Sequence, residues 1–326
     1  PIGYHRRRAP ASYAVGVSRV GLVLGGGGIT GAAYHFGVLL AIRMATGWDP
    51  NDAEVIIGTS CGAFAAAMVR GGRLDLDTFV GDAHDRDQVA DRLRGYIYRR
   101  GRPRGVARWV RRGVLPGLRR PDLRLALGSP GLYRTEGMVE WVEDAIGPLA
   151  ETWPDHPTVI VAYDLERRER EPFGTEAAPD VPLKHAVAAS VAVPFVFEPV
   201  QLAGRWYSDG GIATGTSADL LLANPDALDL VIVIAPLAAS EARPGARFYE
   251  DVFDRAGRLA LSAELAEIHA QWPETDVLVF RPDDRVLAAA RPNPMSVTAA
   301  IPAFLRTLRS LKDELGHHET WDVLER

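Results

Sequence analysis

Short runs of apolar residues alternate with longer segments of helical periodicity along this chain of 326 residues. Five short runs predict buried strands, at residues 19–24, 54–57, 158–163, 230–235 and 276–280. Apolar residues three or four positions apart predict helices between most of them, at residues 30–45, 62–69, 135–146, 183–191, 248–270 and 297–315. Strands that alternate with helices are typical of a mostly parallel sheet covered by helices on both faces, so we predict an α/β fold.

The charge of the chain is distributed unevenly, although its overall composition is ordinary. With 47% hydrophobic and 24% charged residues the chain is typical of a globular protein, and its net charge of −5 does not favour nucleic-acid binding. Between Arg86 and Arg124, however, 13 arginines stand against three acidic residues, a balance of +10 that leaves −15 for the rest. We therefore expect a flexible arm at residues 1–18 and one domain at 19–326, with a helical insertion or cap at 84–128.

The arginine-rich block is compatible with two environments. Aromatic and aliphatic side chains are interleaved with its arginines, namely Tyr96, Ile97, Tyr98, Trp109, Val110 and Leu115. Basic segments of this kind dock on anionic membrane surfaces, but a solvated face that pairs with the acidic remainder has the same composition. Contact with nucleic acid is disfavoured, because no base-stacking module is visible. The single cysteine, Cys61, fits a reducing compartment, so we expect a cytoplasmic protein that can contact a membrane peripherally.

The pentapeptide G-T-S-C-G at residues 58–62 places Ser60 between a short apolar strand and an alanine-rich helix. Glycines two positions before and after the serine remove the side chains that would clash in a sharp strand-to-helix turn. Such a turn presents the hydroxyl at a helix N-terminus, where unpaired N–H groups favour developing negative charge. The setting predicts a nucleophilic serine, and the alternative is that Ser60 only caps the helix.

A glycine-rich loop, G-G-G-G-I-T-G at residues 25–31, also follows a strand and opens a helix. Bare backbone N–H groups in such a loop can form an oxyanion hole. The spacing of Gly26, Gly28 and Gly31 also fits a dinucleotide fingerprint, but the next strand does not end in the acidic residue that binds the ribose. That strand end delivers Ser60 instead, which favours the oxyanion hole. A turn needed only for close helix packing remains the alternative.

A serine hydroxyl is a weak nucleophile that needs an adjacent base, and the sequence leaves two arrangements open. A triad needs a well-placed histidine, and none of the downstream candidates directly follows a predicted strand: His185, His269, His317 and His318. A dyad needs only a carboxylate on a tight turn, which Asp209 supplies in the sequence D-G-G. An ordinary Asp-Gly turn has the same sequence, so spacing alone does not select Asp209.

Taken together and in order, these segments resemble the patatin-like phospholipase family. The matching segments are G-G-G-G-I-T-G at residues 25–31, G-T-S-C-G at 58–62, A-S-V-A-V-P-F at 189–195 and D-G-G at 209–211, and the resemblance covers about residues 19–240. It implies a three-layer α/β/α fold and a lipid acyl hydrolase, often phospholipase A-like, with a Ser–Asp dyad. Ser60 would be the nucleophile and Asp209 the base, and the N–H groups of Gly26, Gly27 and Gly28 would bind the oxyanion.

The resemblance also implies a lipid or acyl-ester substrate and a reaction that needs neither a metal nor a cofactor. One position departs from the family pattern, because its glycine loop usually carries a basic residue where this chain has Thr30. A catalytically silent lipid-binding protein is therefore one alternative. An acyltransferase or thioesterase that uses the same dyad is another, because the shape of the pocket selects the acceptor.

Overall fold

The computed structural model describes residues 18–101, 106–115, 128–239, 248–315 and 323–324. The described strands, numbered in chain order, are β1 (Val20–Leu24), β2 (Val55–Thr59), β3 (Arg99–Arg100), β4 (Tyr133–Arg134), β5 (Thr158–Asp164), β6 (Glu169–Phe173), β7 (Val200–Leu202), β8 (Arg205–Asp209), β9 (Leu230–Ile234) and β10 (Asp276–Phe280). All except β3 and β4, which pair with each other, belong to one central sheet.

The described α-helices are α1 (Gly28–Thr46), α2 (Cys61–Arg70), α3 (Asp77–Val80), α4 (Arg86–Ile97), α5 (Val106–Trp109), α6 (Glu136–Ile146), α7 (Leu183–Ser190), α8 (Phe248–Gln271), α9 (Asp284–Ala289) and α10 (Ala300–Glu314). Short 3₁₀ turns include Gly210–Ile212, Ala218–Ala223 and Val297–Ala299, and Val110–Val114 forms a π-helical turn. The five predicted strands and six predicted helices are all present, with ends shifted by at most a few residues.

The central sheet is mixed, with its parallel part as predicted. Strands β10, β9, β1, β2 and β5 are neighbours in that order and run parallel. Strands β6 and β8 pair with β5 in the antiparallel sense, and β7 extends the sheet beyond β8. The sequence did not predict this antiparallel part. Its strands are short and carry polar residues, as in V-Q-L for β7, and so give no continuous apolar run.

The central strands bury both of their faces, which makes the fold three-layered. In β9, Ile232 and Ile234 face the core under α1, α2 and α10, whereas Val231 and Val233 face the core under α8. The strands β1 and β2 alternate in the same way between the two cores. This explains why the sequence shows them as unbroken apolar runs rather than as alternating ones.

The ends of β2 and β8 meet on one edge of β5. Residues 158–161 of β5 pair with β2, which ends with Thr59 opposite Val161. The next residues pair with β8, which runs the other way and ends with Asp209 opposite Ala162. Since β6 occupies the other edge of β5, β2 and β8 approach each other end to end along the same edge. The residues at these two strand ends are therefore brought together by the sheet.

The helix α1 is 19 residues long and, by length and composition alone, apolar enough to cross a membrane. In the structure 67% of that stretch is buried, and the helix packs against α2 and α10. We therefore interpret α1 as a core helix of the domain.

The arginine-rich block is described only in part. Its first element, α4, buries Val89, Ala90, Leu93 and Ile97 and packs against α6 and Val297–Ala299. Residues 102–105 and 116–127 of the predicted insertion lie outside the described residues, as do residues 1–17 of the predicted N-terminal arm. The predicted boundaries of arm, domain and insertion stay a prediction.

Replacing Gly62 with alanine is expected to destabilise the protein by about 1–3 kcal/mol, because overpacking forces a rigid backbone to move. A Cβ atom at this position would lie 1.9 Å from the carbonyl oxygen of Leu24, which belongs to β1. Chemical denaturation measures the free energy of unfolding. Gly95→Ala in α4 is the matched control, since its Cβ meets nothing within 4 Å; it should be neutral or stabilising by about 0.5–1 kcal/mol. Equal effects of the two variants would contradict this account.

Candidate active site

Ser60 occupies a sharp turn between β2 and α2. It is buried, and its φ of 56° and ψ of −124° are unusual for a residue with a side chain. Such a conformation costs of order 1–3 kcal/mol and persists only where the surroundings impose it. The Ser60 N–H donates to the Ser190 Oγ at 2.9 Å, and that hydroxyl donates to the Val161 carbonyl at 2.6 Å. Ser190 at the end of α7 thus ties the strained turn to β5.

Asp209 is the hydrogen-bond acceptor of the Ser60 hydroxyl. The distance from Ser60 Oγ to Asp209 Oδ2 is 2.5 Å, and Asp209 Oδ1 accepts the Gly211 N–H at 2.7 Å. Burial raises the pKa of Asp209 to about 6, while the hydrogen bonds from Ser60 and Gly211 act in the opposite direction. The carboxyl therefore ionises near neutral pH, where it can accept a proton from the hydroxyl. The residues that follow form a 3₁₀ turn rather than a hairpin.

The histidines considered for a triad lie elsewhere or outside the described residues. His269 is on α8, where its Nδ1 bonds the Leu265 carbonyl, and His185 is on α7. Burial and then the charge of Lys184 lower the pKa of His185. His317 and His318 lie outside the described residues. Among the arrangements left open by spacing, the geometry favours Ser60 with Asp209.

The three glycines expected in the oxyanion hole differ in their surroundings. The Gly26 N–H donates to the Gly215 carbonyl at 2.7 Å, so the expectation that it is a free donor is corrected. Gly26 lies directly against Ser60, since a Cβ there would be 3.4 Å from Ser60 Cβ. The Gly27 N–H has no hydrogen-bond acceptor among the described residues. Gly28 is the first residue of α1, where N–H groups lack partners within the helix, and it lines the same cavity as Ser60.

A buried histidine, which belongs to none of the sequence motifs, supports the glycine loop through a backbone carbonyl of the loop. His35 on α1 is fully buried, and its Nε2 lies 2.7 Å from the Gly25 carbonyl. Burial lowers its pKa to about 4, while the Gly25 contact acts in the opposite direction. The ring is therefore neutral at pH 7, and Nε2 carries the proton because a carbonyl oxygen only accepts. Only its spacing on a helix after the loop could have suggested this contact.

Thr30, which replaces the usual basic residue of the loop, bonds a distant segment. Its N–H donates to the Pro294 carbonyl at 3.0 Å, and its hydroxyl donates to the same oxygen at 3.4 Å. Pro294 stands near the start of the final helical region, 264 residues away in the chain. Thr30 therefore braces the loop through neutral hydrogen bonds, without adding a charge.

A second brace on the loop comes from α8. The buried carboxylate of Glu264 accepts hydrogen bonds from the Thr214 and Thr216 hydroxyls and from the Ala218 N–H. The segment it holds contains Gly215, whose carbonyl accepts the Gly26 N–H. No sequence motif marks Glu264, because a glutamate on a long helix is most often a surface residue.

An apolar cavity opens beside the Ser60 hydroxyl. Its volume is about 560 Å³ including the open mouth. Its walls come from α1, α2, α3, α4, α6 and the segments after α7 and α9. The lining residues are Gly28, Ile29, Ala32, Ser60, Cys61, Phe64, Phe79, Ile97, Thr135, Met138, Trp141, Val191, Val193, Phe197 and Met295. The cavity thus suits a hydrocarbon chain whose head group reaches Ser60.

The thiol of Cys61 is the nearest rival nucleophile. It is buried next to Ser60, and its sulfur lies 3.5 Å from the Gly25 carbonyl. Burial and then the negative charge of Asp209 raise the pKa of the Cys61 thiol. Because the thiolate is the reactive form, this environment keeps Cys61 inert.

Asp209→Asn is expected to change the pH dependence of stability with a defined sign. The folded-state pKa of about 6 lies above the ordinary value of 3.8, so folding favours the protonated acid. The stability of the wild type relative to the variant should be greatest below pH 4 and fall as the pH rises through 6. The amplitude is about 3 kcal/mol, since one pKa unit is about 1.4 kcal/mol. Urea denaturation at several pH values measures it; a difference that is flat between about pH 4 and pH 7 would contradict the buried carboxylate.

Ser190→Ala is expected to destabilise the protein by about 1–3 kcal/mol, because it leaves the buried Ser60 N–H without an acceptor. Ser208→Ala is the matched control. The Ser208 hydroxyl also donates to a carbonyl, that of Ala192, but this oxygen keeps the N–H of Asp209 as a donor. Thermal and chemical unfolding compare the two variants, and a loss at Ser208 equal to that at Ser190 would argue against the role of Ser190.

Comparison with known proteins finds relatives of this chain and a family model that matches it. The chain is 31% identical over 229 residues to uncharacterized NTE family proteins of Mycobacterium tuberculosis and Mycobacterium bovis, an alignment that covers 66% of this chain and 52% of each relative. The chain thus spans about half the length of these curated relatives. VipD from Legionella pneumophila is a structural match at TM-score 0.36 and 13% identity, covering 96% of this chain and 70% of that one. The family model for patatin-like phospholipase matches residues 22–222, and the chain belongs to this family.

Proposed function

We propose that this protein is a serine acyl hydrolase that cleaves carboxylic esters of lipids by means of a Ser60–Asp209 dyad. The observation that carries the proposal is the 2.5 Å hydrogen bond between the Ser60 hydroxyl and a buried carboxylate at the edge of an apolar cavity. Family membership supports lipid ester hydrolysis in general.

The acylation step follows from the dyad geometry. The Ser60 Oγ attacks the ester carbonyl while Asp209 takes the hydroxyl proton, and a bond forms between Oγ and the acyl carbon. The tetrahedral intermediate then collapses, the bond to the alcohol oxygen breaks, and Asp209 gives its proton to that oxygen. In deacylation water attacks the acyl carbon, Asp209 accepts its proton, and the proton returns to Ser60 as the acid leaves.

We propose that two helix N-termini stabilise the oxyanion. At the start of α1 the donors would be the N–H groups of Gly27 and Gly28, whereas the N–H of Gly26 is already bonded to the Gly215 carbonyl. Donors of this kind contribute about 3–4 kcal/mol each in acyl-transfer enzymes. The N-terminus of α2 directly follows Ser60, so its dipole acts on the same charge.

The apolar cavity is the proposed site of the acyl chain. Its aromatic end is formed by Phe64, Phe79 and Trp141, whose rings contact one another at centroid distances of 4.4–6.4 Å. Burial of hydrocarbon there supplies binding energy without polar partners. The proposed reaction uses only groups of the chain and water.

The location of the protein is proposed to be cytoplasmic, with peripheral contact to an anionic membrane through residues 86–124. The structure narrows the residues available for such contact. Ile97 is buried, the Tyr98 hydroxyl donates to the Met295 carbonyl, and Tyr96 stacks on Trp141. Val110 and Leu115 are exposed and remain available.

Ser60→Ala is expected to lower kcat for a p-nitrophenyl ester by about 10⁴-fold or more, as loss of an activated nucleophile does in other serine hydrolases. A fluorophosphonate probe should label the wild type once, and mass spectrometry of the digested protein should place the label on Ser60. The variant should not be labelled.

Cys61→Ala is the matched control for this test, because it removes the neighbouring nucleophilic atom and leaves Ser60 in place. We expect labelling to persist and kcat to change by less than about tenfold. Hydrolysis that survives in Ser60→Ala, or a label found on another residue, would overturn the proposed dyad.

A further inference from the structure

Exposed apolar side chains gather beside the proposed acyl-chain cavity. Of the eight large hydrophobic residues exposed in the described part of the chain, five belong to residues 106–115, Leu132 and Phe195. Leu132 is 58% and Phe195 51% exposed. Single exposed apolar residues need no explanation, but several on adjoining elements mark a binding surface.

These side chains adjoin one another in space. The rings of Trp109 and Phe195 meet edge to face with centroids 6.0 Å apart. Val106 lies three residues before Trp109 and Val110 directly follows it, so the two valines are four residues apart on a continuous helical segment. The Leu132 N–H donates to the carbonyl of Val196, the residue after Phe195. We call Val106, Trp109, Val110, Leu132 and Phe195 the apolar rim.

The apolar rim borders the cavity that contains Ser60. Val193 and Phe197, which flank Phe195 two residues away on either side, both line the cavity. Thr135, three residues after Leu132, lines it as well. The apolar rim is therefore carried by the same chain segments that form part of the cavity wall.

The backbone holds Phe195 outward at an energetic cost. Its φ is 65°, in the left-handed region that residues with side chains rarely adopt. The Phe195 N–H donates to the buried hydroxyl of Ser129 at 2.8 Å, which fixes this conformation. Strain of this kind at an exposed aromatic residue points to a function for the exposed ring.

Two exposed arginines stand next to residues of the apolar rim in the chain or in strand pairing. Arg111 follows Val110 directly, and Arg100 pairs with Tyr133, the residue after Leu132, between β3 and β4. Both arginines are exposed and form no ion pair with another described residue, whereas Arg99 is neutralised by two hydrogen bonds to Glu140. Exposed arginines next to apolar side chains complement an anionic lipid surface, where phosphate groups lie beside hydrocarbon.

We propose that the apolar rim, together with Arg100 and Arg111, is a docking face for an anionic lipid bilayer. Docking sets the cavity mouth against the membrane, so that the acyl chain of a lipid passes from the bilayer to Ser60 without exposure to water. The proposal rests on the proposed hydrolase function for its consequence, although binding itself does not need catalysis.

Vesicle co-sedimentation tests the docking face. Vesicles of phosphatidylcholine alone are compared with vesicles that contain about 30 mol% phosphatidylserine, which supplies the negative surface potential. We expect the wild type to bind the anionic vesicles at least about tenfold more tightly, since each arginine near such a surface contributes a factor of about five. Equal binding to both vesicles, or no binding to either, would overturn the proposal.

Two double variants separate the apolar and charged contributions. Phe195→Asn with Leu132→Gln removes apolar surface, and asparagine tolerates the left-handed backbone at position 195. Arg100→Glu with Arg111→Glu reverses the charge. Each double variant should weaken binding to anionic vesicles by about tenfold or more. If both double variants bound anionic vesicles as tightly as the wild type does, the proposal would be overturned.

Matched controls change equally exposed residues away from the docking face. Met44→Gln alters a side chain that is 80% exposed near the C-terminal end of α1, the end opposite the site. Arg309→Glu reverses an exposed charge on α10. Both should bind vesicles as the wild type does, and a loss as large as that of the double variants would show a general effect of charge or apolarity.

Hydrolysis distinguishes failure of docking from failure of the proposed function. The four substituted residues do not line the cavity, so the double variants should cleave a soluble p-nitrophenyl ester while they lose cleavage of ester lipids in anionic vesicles. Retained cleavage of the soluble ester also shows that the variants are folded. If Ser60→Ala hydrolyses as the wild type but the docking variants lose binding, the dyad is wrong and the docking face stands.

Discussion

The hydrogen bond between Ser60 and Asp209 depends on the meeting of two strand ends along β5. Strand β2 arrives parallel to β5 and β8 arrives antiparallel, so their carboxyl ends point toward each other at Val161 and Ala162. If β8 also ran parallel to β5, its carboxyl end would point in the same direction as that of β2, and the two ends would not face each other. The change from parallel to antiparallel pairing at β5 is therefore what turns a serine turn and an aspartate turn into a pair. Ser190, which bonds both the Ser60 N–H and the Val161 carbonyl, fixes the position of this junction.

Burial of the dyad has opposite effects on stability and on chemistry. The protein raises the pKa of Asp209 by withholding water from it, and this makes the carboxylate a stronger base for the Ser60 proton. The same desolvation destabilises the folded protein once the acid ionises. The strained backbone of Ser60 adds a further cost. The apolar cores on both faces of the sheet offset these costs, which are concentrated at Ser60 and Asp209.

The glycine loop is held by parts of the chain that lie beyond the segment matching the family. The match ends at residue 222, yet Thr30 is bonded by Pro294, and Gly26 is held through Gly215 by the segment that Glu264 orders. His35 supports the same loop from within α1. With neutral bonds to Pro294 the loop is braced without the usual basic residue. The C-terminal third of the chain thus contributes to the geometry of the site although it carries neither member of the dyad.

The sequence by itself determined the parallel core, the strand–serine–helix turn and the order of the motifs, because continuous apolar runs and glycine positions are local properties of the chain. It also indicated Asp209, but only through resemblance, since an Asp-Gly turn has many uses. The tertiary structure decided that Asp209 reaches Ser60, that the Gly26 N–H is occupied by Gly215, and that Ser190, His35 and Glu264 brace the site. These contacts join residues from 10 positions apart, for His35 and Gly25, to 189 positions apart, for Gly26 and Gly215, and no local pattern encodes which long-range pairs will meet.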